Sequence, residues 1–132
     1  MKPPCSCCRY YRGHEFEKDV DRLWQMLLDI NFDGVYGPPR GGLTLATALS
    51  HRLDIPQFLD GPKSRQTLVV DDIADKGTTL RPFADKGNLI ITLFYHKQSI
   101  TIPNIWLHEK KNKFIIYFWE KQECVNKNKS RS

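Results

Sequence analysis

The stretch Thr67-Leu68-Val69-Val70-Asp71-Asp72-Ile73-Ala74-Asp75-Lys76-Gly77-Thr78-Thr79 decides the fold. It opens as an apolar run with β-branched residues, which predicts a buried strand. Asp71 and Asp72 close that strand. A turn follows from Asp75, Lys76, Gly77 and the two threonines, and Leu80, Phe83 and Ala84 continue at helical spacing. Pro82 falls in the first helical turn, where a missing N–H is tolerated. A helix start offers free N–H groups and partial positive charge, which suits a phosphate. Gly77 lets backbone approach an anion closely, Thr78 and Thr79 add hydroxyl donors, and Lys76 adds charge. Asp71 and Asp72 would repel a phosphate. They suit sugar hydroxyls, or a metal-bound ligand, beside it. A phosphate at one end and diol-binding acids at the other describe a phosphorylated ribose.

Working outward, Gly34 to Gly37 predicts a short strand. It runs into Gly37-Pro38-Pro39-Arg40-Gly41-Gly42, and Leu43 to Leu53 carries a second helical pattern. The prolines stiffen this loop, the glycines open its backbone, and Arg40 offers a forked cation for phosphate oxygens. Phe16, Val20, Leu23, Trp24, Leu27 and Ile30 predict an amphipathic helix from Glu15 to about Ile30. Ile55 to Leu59 and Asn88 to Tyr95 predict further strands. Strands alternating with helices imply an α/β fold, a parallel sheet covered by helices on both faces. Residues 96–120 break that rhythm. Phe114 to Trp119 is apolar and aromatic, and reads either as an edge strand closing the core or as part of a binding site.

The 132 residues predict one domain: an irregular arm over 1–14, a folded body over 15–122 and a basic, disordered tail over 123–132. Hydrophobic residues at 40% support one core. Much of the net charge of +5 lies in the tail, and no basic face interleaved with aromatics argues for nucleic acid. Anionic substrates account for a mild basic bias equally well. Cys5, Cys7 and Cys8 lack the second close pair a zinc site would want, with only Cys124 remaining, so reduced surface thiols are expected. No run is long enough to span a membrane and no signal-peptide core is present, so a cytoplasmic protein is the default.

Thr67 to Thr79 resembles the phosphoribosyl-pyrophosphate signature of type I phosphoribosyltransferases, and Gly37 to Gly42 is similar to the pyrophosphate loop of that family. The similarity runs from about Phe16 to Glu120. It implies a Rossmann-like core with a small C-terminal hood. It also implies a magnesium-dependent transfer of a phosphoribosyl group to a 6-oxopurine, releasing pyrophosphate, by a homodimer. On that resemblance, backbone N–H groups of Arg40, Gly41 and Gly42 bind pyrophosphate, and the Pro39–Arg40 peptide is cis. Asp71 and Asp72 face the ribose and its Mg2+. Asp75, Lys76, Gly77, Thr78 and Thr79 hold the 5-phosphate, and Asp75 takes the proton from the purine. Lys97 reads the purine oxygen, Phe114 stacks on the ring, Ile115 contacts it through backbone, and Glu120 closes the site and shares in the metal. The chain departs from the family in one respect: only Ile55 to Gln66 is available for the mobile lid, so transfer is expected to be slow. A non-catalytic nucleotide- or RNA-binding member of the fold is the main rival, and an enzyme acting on a pyrimidine is another. A receiver domain also ends a strand in Asp-Asp, but there it is the first strand. A Walker-type hydrolase would need Lys-Ser/Thr after the glycine, which Gly77 lacks.

Overall fold

Five parallel strands carry the computed structural model, which describes residues 7–120. In chain order the elements are β1 (Cys8–Tyr11), α1 (Gly13–Leu27), β2 (Gly34–Tyr36), α2 (Leu43–Leu53), β3 (Gln57–Phe58), β4 (Thr67–Ala74), α3 (Arg81–Asp85), β5 (Ile90–His96), β6 (Ile105–Lys110) and β7 (Phe114–Tyr117). The main sheet runs β3-β2-β4-β5-β6, every pair parallel. All eight residues of β4 are buried, as a central strand covered on both faces requires.

The larger core lies on one face of this sheet. There Phe16, Val20, Leu23 and Leu27 of α1 and Leu45, Ala46 and Leu49 of α2 meet Leu68 and Val70 of β4. The spacing of those α1 residues is the helical stripe expected from the sequence, although the helix begins at Gly13 and ends at Leu27. Val69 points the other way, into a smaller cluster with Ala74, Leu80 and Ile90, which Phe83 and Tyr95 flank. Among the described residues, the five-residue α3 packs there through Phe83.

Two expectations are corrected by β1 and β7. Residues 8–11 are not part of an irregular arm: they form β1. Phe114 to Tyr117 is not an edge strand of the main sheet but pairs in parallel with β1, Cys8 opposite Phe114 and Tyr11 opposite Tyr117. Together they make the hood, so it is built from both ends of the chain rather than from the C-terminal side alone. Tyr11, 1% exposed, fastens the hood to the body. Its ring packs edge-on against Phe94 and Tyr117, and its hydroxyl donates to buried Asp19 of α1 at 2.5 Å. The expected reduced surface thiols are also corrected. Cys8 is buried, and neither Cys7 nor Cys8 is a free thiol. Cys5, Cys124 and the tail lie outside the described residues. No described helix is long and apolar enough to cross a membrane.

Candidate functional site

In parallel sheets the loops that follow the strands collect at one end, where ligands bind. Here those loops are 37–42 after β2, 75–80 after β4 and 97–104 after β5. The first is drawn tight by Gly42 N donating to the Pro38 carbonyl at 2.9 Å and Leu43 N to that of Arg40 at 3.3 Å. Its Pro39–Arg40 peptide is cis, as the resemblance implies. Arg40 is exposed. A Cβ on Gly41 would lie 2.7 Å from Asp72 Oδ1, so this loop and the acidic end of β4 share one wall.

The turn after β4 is anchored to the loop after β5. The Lys76 carbonyl accepts from Ile100 N at 2.9 Å, and the Gly77 carbonyl accepts from Thr101 Oγ1 at 2.6 Å. Gly77 has φ +83°, and a Cβ there would come within 2.6 Å of Thr101 N. Its lack of a side chain therefore serves the turn's own packing as much as any ligand. Lys76 and Thr78 stand exposed and Thr79 half-buried at the same rim.

Asp75, the candidate for handling a proton, is buried. Its side chain is 5% exposed, with Oδ1 2.9 Å from His96 Nδ1 and Oδ2 3.0 Å from Lys110 Nζ. His96 and Lys110 end β5 and β6 side by side in the sheet register. Neither was singled out from the sequence. Each lies more than twenty residues from Asp75, and only the parallel register of β5 against β6 brings them together.

The base-side candidates are only partly assembled. Lys97, exposed, lines a cleft of about 390 Å3 with His96, Glu109, Lys110, Lys111 and Asn112. Across the 110–113 turn a second cleft of about 350 Å3 is walled by Arg9, Lys113 and Ile115. Arg9 sits over the Phe94 ring at 5.0 Å, pairs with Glu15 at 3.0 Å, and was also missed. Phe114 and Glu120 line neither cleft. Phe114 N donates to the Cys7 carbonyl, and Glu120 Oε1 accepts from Tyr117 N at 3.4 Å.

The fit to magnesium can be tested on the donors. Asp71 and Asp72 are adjacent, buried carboxylates; Asp71 Oδ1 accepts from Asp72 N and Asp72 Oδ1 from Ile73 N. Among the described residues no three acids or histidines cluster as a metal cage, so Glu120 does not complete a set with them. Two carboxylates beside a phosphate loop match the way Mg2+ is held mostly by substrate phosphates and water.

The five-stranded parallel sheet of order β3-β2-β4-β5-β6, with a separate two-stranded sheet of β1 and β7, is the type I phosphoribosyltransferase fold. Among solved structures the chain is similar to purine phosphoribosyltransferase from Pyrococcus horikoshii, at 23% identity over 92% of this chain and 99% of that one, with a TM-score of 0.77. It is similar to Helicobacter pylori xanthine-guanine-hypoxanthine phosphoribosyltransferase, at 22% identity over 86% and 94% of the two chains, TM-score 0.72. A hypothetical protein from Neisseria gonorrhoeae with bound ppGpp follows, at 16% identity over 86% and 90%, TM-score 0.65. No protein-family model matches the chain, and no curated protein does.

Proposed function

We propose that this protein binds phosphoribosyl pyrophosphate and transfers its phosphoribosyl group to a 6-oxopurine, releasing pyrophosphate. The observation that carries the reading is the close approach of Gly41 to the Asp72 carboxylate, which supports an anion site on the 37–42 loop beside an acid suited to a diol. Backbone N–H groups of Arg40, Gly41 and Gly42, with the Arg40 guanidinium, bind the pyrophosphate. Gly77, Thr78 and Thr79, with Lys76, hold the 5-phosphate, and Asp71 and Asp72 hold the ribose hydroxyls. Mg2+, carried in on the substrate and held by Asp71 and Asp72, would supply charge neutralisation to the leaving group. Holding sugar and base together removes much of the entropy cost of the encounter. Lys97 recognises the purine oxygen, and the hood residues Phe114 and Ile115 cover the ring. The protein acts as a homodimer.

Calorimetry with phosphoribosyl pyrophosphate, followed by a transfer assay with hypoxanthine, guanine, xanthine and adenine, tests the reading. Tight binding and transfer to a 6-oxopurine support it; absence of binding overturns it. A second reading, a nucleotide-binding protein that does not turn over, is favoured by one observation. Both oxygens of Asp75 are already engaged, by Lys110 and His96. Binding without transfer to any base would select that reading.

A further inference from the structure

We propose that the cleft lined by Lys63, Arg65 and Lys86, at the opposite end of the sheet from the candidate site, binds a small compound carrying several phosphate groups. This second ligand site stands independently of the transferase reading.

Its place in the fold separates it from the other loops. Residues 62–65 lie just before β4 and residues 86–88 just before β5, and those two strands run in parallel. Both segments therefore meet at the end where the strands begin. The loops of the candidate site lie where the strands finish, and the eight residues of β4 put about 25 Å between the two ends. The cleft between the segments holds about 410 Å3 and is lined by Pro62, Lys63, Ser64, Arg65, Lys86 and Asn88. That volume lies within the range of small-molecule sites.

The lining carries three cations and no acid. Among the described residues none of the three enters an ion pair, whereas Arg9, Arg22, Arg52, Arg81 and Lys110 each have a carboxylate partner. Lys63 instead sits over the Phe58 ring at 4.9 Å. The acid near it, Asp33, is already engaged: Ser64 Oγ and Thr67 Oγ1 each donate to it, and those bonds hold its carboxyl below the usual carboxylate value. A cleft lined by one sign of charge draws in counter-ions. The Arg65 guanidinium offers a fork that matches phosphate oxygens, and the two lysines add point charges. Three cations without a carboxylate among them suit a polyphosphate better than a single phosphate.

The walls of the cleft are fixed to each other. Thr67 Oγ1 accepts from the backbone N–H groups of Lys63 and Ser64, and Asn88 Nδ2 donates to the carbonyls of Ser64 and Thr67. Gly87, at φ +89°, lets the Arg65 stem lie against its turn, where a Cβ would stand 3.4 Å from Arg65 Cδ. The guanidinium is thus carried on a packed stem, and less freedom is lost when an anion binds.

The test uses the full chain, inorganic tripolyphosphate as the probe and amide NMR as the residue-by-residue readout. Tripolyphosphate should shift the amides of Ser64, Arg65, Lys86 and Gly87 saturably, whatever it does at the loops 37–42 and 75–80. Arg65→Gln and Lys86→Gln, both at exposed positions, should each weaken the affinity read from those amides by about tenfold. Lys18→Gln removes the same charge from an exposed position on α1 and should leave that affinity within about twofold. Competition by adenosine triphosphate would support the proposal with a nucleotide as the source of the phosphates, and tripolyphosphate binding without that competition would support it with an inorganic polyphosphate. Shifts confined to the loops 37–42 and 75–80, shifts that sodium chloride at equal ionic strength reproduces, or equal weakening by Lys18→Gln would each overturn it. Tighter binding of a short single-stranded RNA than of tripolyphosphate would overturn it too, by assigning the cleft to nucleic acid.

Discussion

At the scale of single residues, Gly77 and Asp19 carry the clearest consequences. The sequence argues for Gly77 as a position where backbone approaches an anion. The structure adds that a side chain there meets the backbone of Ile100 and Thr101 at a positive φ. Gly77→Val should therefore abolish phosphoribosyl-pyrophosphate binding and also destabilise the protein by about 2–3 kcal/mol, checked by calorimetry and denaturant melts on the same sample. Asp19 ties α1 to the hood through Tyr11 and to β6 through His108, 2.7 Å away. Burial pushes its carboxyl up, but hydrogen bonds from His108 and Tyr11, with the charges of His108 and Arg22, bring it below the usual carboxylate value. A carboxylate depressed in the folded state adds stability that is present above its unfolded value and lost as pH falls through its lower folded value. Acid melts should show this loss, and Asp19→Asn should flatten it while costing about 2 kcal/mol at neutral pH. A slope unchanged in the variant would refute the link.

Among the elements, the connection between β3 and β4 matters most. It is short and tied down: Ser64 Oγ and Thr67 Oγ1 both donate to Asp33, at 2.6 Å each, and Asn88 Nδ2 donates to the Ser64 carbonyl. Bonds at its β4 end leave this connection little room to act as a lid. Lids exclude water and complete catalytic sites. Without one, water should compete with the base, and incubation with phosphoribosyl pyrophosphate alone should release ribose 5-phosphate at a rate comparable to slow transfer. Fast transfer with no hydrolysis would count against this. The same elements show what a sequence carries. Leu43 to Leu53 was legible to the residue, because apolar spacing and flanking glycine agree. β4 was legible for its β-branched run. β6 was not, since Ile105 to Lys110 has no regular alternation of buried and exposed residues and ends in charge. β1 was hidden by the cysteine-rich segment before it and has only four residues. The phosphate-side candidates are contiguous in sequence and could be read as motifs. His96, Lys110 and Arg9 reach their places through strand register and packing between distant strands, which no local pattern encodes.

On the scale of the whole molecule, the body and the hood depend on one another. Removing residues 1–12 deletes β1 and the Tyr11 anchor, not a detachable arm. The shortened chain should melt at least about 5 °C lower and bind base poorly, as followed by circular dichroism and a base titration. An unchanged melting temperature would mean that β7 holds the hood alone. Leu23→Ala, at a fully buried site in α1, should cost about 2–5 kcal/mol by the same assay. The pairing of Cys8 with Phe114 has another consequence, for how the chain acquires its shape. The strands of the main sheet join neighbours close in sequence, whereas β1 must wait for almost the entire chain. Distant pairings of this kind carry a large loop-closure entropy and form late. During synthesis the main sheet and its loops can assemble while β1 stands idle, so the two-stranded sheet of β1 and β7 is the last part of this fold to be built.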